Sequence, residues 1–73
     1  MSLQWHVMIG GKKFWLYYER REYGFICGPT TIGTLGFRGS GDTPEEAYEN
    51  LLNHIKFIEE RMPEEIEKLM KEG

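Results

Sequence analysis

Gly39-Ser40-Gly41-Asp42-Thr43-Pro44-Glu45-Glu46-Ala47-Tyr48-Glu49-Asn50-Leu51-Leu52 is the stretch at which the character of the chain changes. Residues before it read as strand, and residues after it read as helix. Thr43 is placed to cap the helix, because its hydroxyl can accept from the Glu46 N–H while the Glu46 carboxylate accepts from the Thr43 N–H. Pro44 falls at the first helical position, where its fixed φ suits a helix and its missing N–H removes no bond. Glu45 and Glu46 set negative charge against the positive end of the helix dipole. The glycines ahead of Thr43 read as a hinge that lets sheet turn into helix.

Downstream, the helix is expected from Pro44 to Arg61. Ala47, Tyr48, Leu51, Leu52, Ile55, Ile58 and Met62 recur at i, i+3, i+4, i+7 spacing and form the stripe that should lie on the sheet. Phe57 projects to the opposite side with Asn50, Asn53 and Arg61, and His54 stands on the border between the two faces. Met62-Pro63 interrupts the helix, since the residue before proline is pushed out of helical backbone geometry. A short second helix begins at Pro63, with Ile66, Leu69 and Met70 as its apolar ridge.

Upstream, Leu3, Trp5, Val7 and Ile9 alternate with Gln4, His6 and Met8, the period of a half-buried strand. Gly10-Gly11 supplies the positive φ that a two-residue hairpin turn requires. That turn sets the register: Ile9 faces Lys12, Val7 faces Phe14, Trp5 faces Leu16 and Leu3 faces Tyr18 on the core side. Met8 faces Lys13, His6 faces Trp15 and Gln4 faces Tyr17 on the other. The polar cluster Glu19-Arg20-Arg21-Glu22 is expected to break this second strand. A third resumes at Gly24-Phe25-Ile26-Cys27, with Tyr18 opposite Phe25 and Leu16 opposite Cys27, and ends at Gly28-Pro29-Thr30. The glycine-diluted run Thr31 to Phe37 is assigned to a short, irregular fourth strand.

These elements make a single α+β domain over residues 1–73: a three- to four-stranded antiparallel sheet, one long helix packed on one face and a short C-terminal helix. At 73 residues the core is near the lower limit for a self-sufficient domain, so association is expected, most simply as a homodimer. A net charge of −3 argues against non-specific nucleic-acid binding by the whole domain and suits a basic partner. No long apolar run marks a membrane span and no signal-peptide pattern is present, so a cytoplasmic location is the expectation.

Catalytic candidates are thin. His6, His54 and the single cysteine Cys27 fall on different elements, and no two of them have metal-ligand spacing. No Walker or dinucleotide pattern opens the helix, and Glu45 and Glu46 would repel a phosphate there. No enzyme activity, metal or cofactor is therefore expected. The surfaces that remain are the far side of the sheet (His6, Trp15, Tyr17) and the helix patch (Asn50, His54, Phe57, Arg61), which read as partner-binding surfaces. The rival reading for Trp15 and Tyr17, interleaved with Lys12, Lys13, Arg20 and Arg21, is a stacking face for single-stranded nucleic acid.

From Ser40 to Leu51 the sequence Ser-Gly-Asp-Thr-Pro-Glu-Glu-Ala-Tyr-Glu-Asn-Leu resembles the HicB-like antitoxin family, whose small domain places a Gly-Asp-Thr-x-Glu-Glu-Ala segment between its last hairpin strand and its main helix. The resemblance extends back through the strand at Phe14 to Tyr18, the polar turn and Gly24-Phe25-Ile26. It implies a non-enzymatic domain that self-associates and binds a small basic ribonuclease toxin. The strand before Phe14 is additional to the family pattern, and Ile66-Glu67-Lys68-Leu69-Met70 is too short for a DNA-binding module.

Overall fold

A computed structural model describes residues 3–30 and 36–72. Four strands, β1 (His6–Ile9), β2 (Lys12–Arg21), β3 (Gly24–Pro29) and β4 (Gly39–Gly41), lead into α1 (Pro44–Arg61) and α2 (Pro63–Glu72). The strands form one antiparallel sheet in the order β1-β2-β3-β4. α1 lies across β3 and β4 on the inner face, and α2 turns back beside it.

The first hairpin has the register its alternation dictates: His6 opposite Trp15, Val7 opposite Phe14, Met8 opposite Lys13 and Ile9 opposite Lys12. Gly10 (φ 61°) and Gly11 (φ 81°) occupy the left-handed region the turn demands. Val7, Ile9, Phe14 and Leu16 are buried on the inner side, as their parity requires. Trp5 departs from that pattern. It shares their face but is 54% exposed, with its ring edge-on to Tyr18 at 5.1 Å.

The second hairpin differs from expectation by two residues. β2 runs on through Arg20 and Arg21, the turn is Glu22-Tyr23, and Tyr18 faces Cys27 while Arg20 faces Phe25. A two-residue shift preserves the side-chain parity, so the buried face is unchanged. The charged pair does not break the strand because this end of the ribbon is solvent-exposed, where Glu19 and Arg21 form an ion pair at 3.2 Å.

The fourth strand lies later than the Thr31 to Phe37 run. Residues 31–35 fall outside the described segments, Gly36 and Phe37 are not in a strand, and the residues that pair with β3 are Gly39–Gly41. Their glycines act by lacking side chains rather than by hinging. Neither Gly39 nor Gly41 has positive φ, but a Cβ on Gly39 would stand 2.7 Å from Leu51 Cα and nearer still to Leu51 N and Ala47 O. The backbone of α1 rests directly on the strand.

α1 has the expected bounds. Thr43 is its N-cap in extended geometry, its hydroxyl accepting from Glu46 N–H at 3.1 Å, and Met62 closes it by donating its N–H to Ile58 O at 2.7 Å. Ala47, Leu51, Ile55 and Ile58 are buried against Cys27, Phe37 and the hairpin residues, while Tyr48 is half-buried. Burying such aliphatic side chains contributes roughly 1.5–3 kcal/mol each. Leu52 (40% exposed) and Met62 (37%) belong to the predicted stripe but lie at its solvent margins, since the glycine-floored contact is narrower than a full helical stripe. α2 buries Leu69, rests Ile66 on the core and leaves Met70 41% exposed.

Candidate partner-binding surfaces

The outer face of the sheet carries the even residues of β1 and the odd residues of β2, and no described helix covers it. Trp15 is 60% exposed and Met8 52%. His6, half-buried, sets its ring at 75° to the Trp15 indole with centroids 6.4 Å apart. Lys13 Nζ stands 4.7 Å from the centre of the Trp15 ring. Tyr17 is half-buried; its hydroxyl accepts from Arg38, whose guanidinium carbon lies 5.8 Å from the ring centre. His6, Trp15 and Tyr17 are thus brought onto one face as expected. Met8 and Lys13 join them by the same alternation, so strand parity already places them there. Arg38 carries no such signal, because it reaches the face from the loop before β4.

The helix patch divides in two. Asn50 donates its side-chain N–H to Ser40 O, and His54 Nε2 lies 3.0 Å from Gly36 O. Both side chains tie α1 to the β4 side of the molecule, so half of the expected binding patch has a structural task. Phe57 is 50% exposed, with the Arg61 guanidinium 5.8 Å from its ring centre, and these two remain presented to solvent. Beside them a cleft of about 360 Å³ is lined by Gly36, Phe37, His54, Ile58, Met62 and Glu65. A second cleft, of about 490 Å³, opens at the β2–β3 turn between Arg21, Tyr23, Phe25 and Asp42.

Cys27 has no exposed surface and faces Tyr18 across the strands. Burial pushes its thiol above the ordinary value, a shift partly opposed by the hydrogen bond with Tyr18. The Tyr18 phenol is raised as well, first by burial and then by the nearby Cys27, and it donates its hydroxyl proton to Gln4 O at 2.6 Å. Both groups are held neutral, the state of a packed core pair rather than of an activated nucleophile. Among the described residues no group of three His, Cys, Asp or Glu side chains could hold a metal ion. No described helix is long and apolar enough to cross a membrane.

Charge is divided unequally between the layers. Residues 1–41 contain five basic and two acidic side chains, a net +3, whereas residues 42–73 contain four basic and ten acidic ones, a net −6. The sheet side is therefore basic and the helical layer acidic, although the chain as a whole is only −3. Comparison with family models, curated proteins and solved structures finds no match.

Proposed function

We propose that this chain is a non-enzymatic protein-binding domain of the HicB-like antitoxin kind, and that a small basic protein, in the manner of a ribonuclease toxin, docks on its acidic helical layer. The observation that carries this reading is the charge division. A basic partner is attracted to the −6 helical half and repelled by the +3 sheet half, so the partner surface moves from the sheet to α1 and α2. The 360 Å³ cleft between the helices and residues 36–37 offers an anchoring pocket there, with Glu65 in its lining and Phe57 exposed nearby. Anchors in a small apolar recess ringed by charge are the usual make-up of a binding hot spot.

The test is titration calorimetry against a small basic ribonuclease of the toxin kind, used as the probe, at low and high salt. Binding that weakens with salt, and that falls at least about tenfold when Glu65 of the cleft and Glu60, exposed near the end of α1, are both reversed (Glu60→Lys/Glu65→Lys), is the expected result. Absence of binding at low salt overturns the reading; binding untouched by the double reversal removes the helical layer as its site.

A second reading has its own observation. Lys13 over Trp15 and Arg38 on Tyr17 put cations beside exposed rings on a basic sheet face, the pairing that single-stranded nucleic acid uses for backbone and base. Quenching of tryptophan fluorescence by an oligonucleotide, lost in Trp15→Ala, is its signature. An unquenched titration at low salt disposes of it.

A further inference from the structure

We propose that two copies of this chain associate through the free edge of β1, pairing antiparallel about a twofold axis at Val7 and joining two four-stranded sheets into one. The inference is independent of which partner the helical layer takes.

β1 is a terminal strand of the sheet, and among the described residues nothing pairs with its outer side. Leu16 N–H donates to Trp5 O at 2.9 Å, which fixes the alternation along the hairpin. Trp5 with Leu16, Val7 with Phe14 and Ile9 with Lys12 are the hydrogen-bonded pairs, while His6 with Trp15 and Met8 with Lys13 are the open ones. The N–H and C=O groups of His6 and Met8 therefore point away from β2, toward whatever lies beyond the edge.

Sheet edges of this kind are ordinarily blunted with charge, proline or a bulge, because they recruit other strands. From Leu3 to Ile9 there is no charged residue and no proline. The opposite edge is closed: β4 has three residues, α1 sits on it, and Asn50 occupies Ser40 O.

Self-pairing is the arrangement that the charge distribution permits. Helix-to-helix association would oppose two layers of −6, and face-to-face association of the sheets would oppose two basic faces. The β1 edge is neutral. Its register is also selected. Centring on His6 would require Gln4, which precedes the strand and whose carbonyl is turned to the Tyr18 hydroxyl, and centring on Met8 would require Gly10, whose φ of 61° has left the strand. Centring on Val7 pairs His6 with Met8 of the other copy, twice, for four hydrogen bonds.

A standard interface takes roughly 800 Å² from each partner, more than a four-residue edge provides. Apolar side chains flanking the edge must contribute, and the same axis supplies them. It sets Trp5, 54% exposed, opposite Ile9 of the other copy. That Ile9 adjoins Gly10, against which the exposed Met70 rests, with its sulfur 3.2 Å from where a Gly10 methyl would be. Trp5 at one end of the edge and Met70 beside the other, each exposed in a single copy, are thereby brought to the same end of the dimer interface.

Sedimentation equilibrium of the intact chain should give twice the 8.6 kDa chain mass at high micromolar concentration. Met8→Pro removes an outward N–H without touching a β1–β2 bond and should lower self-association at least about tenfold. Val7→Cys reads the register directly. Val7 faces itself in an open antiparallel pair, where Cα atoms lie ~4.5 Å apart, within the span of a disulfide. Mild oxidation should yield a covalent dimer, whereas Trp5→Cys, which faces Ile9, should yield none. A wild-type chain that stays monomeric overturns the proposal. So does a dimer that Val7→Cys fails to cross-link, whether or not Met8→Pro folds.

Discussion

The two edges of the sheet are finished in opposite ways. At β4 the strand is short, Gly39 and Gly41 let α1 descend until backbone meets backbone, and Asn50 and His54 reach over to take carbonyl oxygens at Ser40 and Gly36. At β1 the strand is uncharged, Trp5 and Met8 stand open, and nothing among the described residues pairs with its outer side. One edge is closed by removing side chains, and the other is left open by withholding charge. A small domain with little core to spare can thus concentrate its rigidity at one end and its capacity for association at the other.

The largest effect expected is at the closed edge. Gly39→Ala drives a methyl into Leu51 N and Ala47 O, backbone atoms that cannot swing aside, and should cost about 3 kcal/mol in urea unfolding. A loss below about 1 kcal/mol would mean that α1 rides up without penalty, and the contrast between the edges would be blurred.

The centre of the sheet belongs to neither edge and should answer to pH. Cys27 and Tyr18 titrate above their ordinary values of 9.0 and 10.0, so at alkaline pH the unfolded chain loses protons that the folded chain keeps. The stability that this pair contributes is full below about pH 9 and declines above it, the direction linkage requires when the native state binds more protons. Cys27→Ala should delay the onset of that decline in pH-dependent melts; an unchanged onset would remove Cys27 from the account.

Asn50→Ala should cost about 1 kcal/mol by releasing Ser40 O. It should also raise self-association, because it reopens the second edge; a variant that is less stable but no stickier would show that the helix alone closes β4. The smallest effect is expected on the outer sheet face. Trp15→Ser, at a position 60% exposed, should change stability by less than about 0.5 kcal/mol in the same urea assay. A larger loss would show that the face is held by its own ring contacts with His6 and Lys13.

Legibility in the sequence tracks the locality of the signal. From His6 to Ile9 the first hairpin can be paired residue by residue from strict alternation around Gly10-Gly11, although the strand starts at His6 rather than at Leu3 and the expected pairs of Leu3 with Tyr18 and Gln4 with Tyr17 do not form part of it. α1 can be bounded because Thr43, Pro44 and Met62-Pro63 act on their own neighbours. The second hairpin reads two residues out of place, since charge at Arg20 and Arg21 resembles a turn until the solvent-exposed end of the ribbon is known. The glycines of β4 read as a hinge because nothing local reveals that Leu51 and Ala47 lie on top of Gly39. The candidate surfaces divide along the same line. Strand parity brings His6, Trp15 and Tyr17 together, but the bonds from Asn50 and His54 to Ser40 and Gly36 span 10 and 18 residues and are set by the tertiary contact. Charge segregation, by contrast, is present in the order of the residues and becomes meaningful once the layers are known.

Gly10 links the early and late elements of the described chain. A methyl there would stand 2.8 Å from Ile66 Cγ2, so the tip of the first hairpin is the seat on which α2 rests. During synthesis the hairpin is complete in sequence by Arg21, long before Ile66 has left the ribosome, and domains are built from the N-terminus at a pace of ~5–20 residues per second. For the interval of some seconds that separates the two, β1 has a turn but no brace. An element made early is therefore braced late, and the contact that braces it falls on the Gly10 turn.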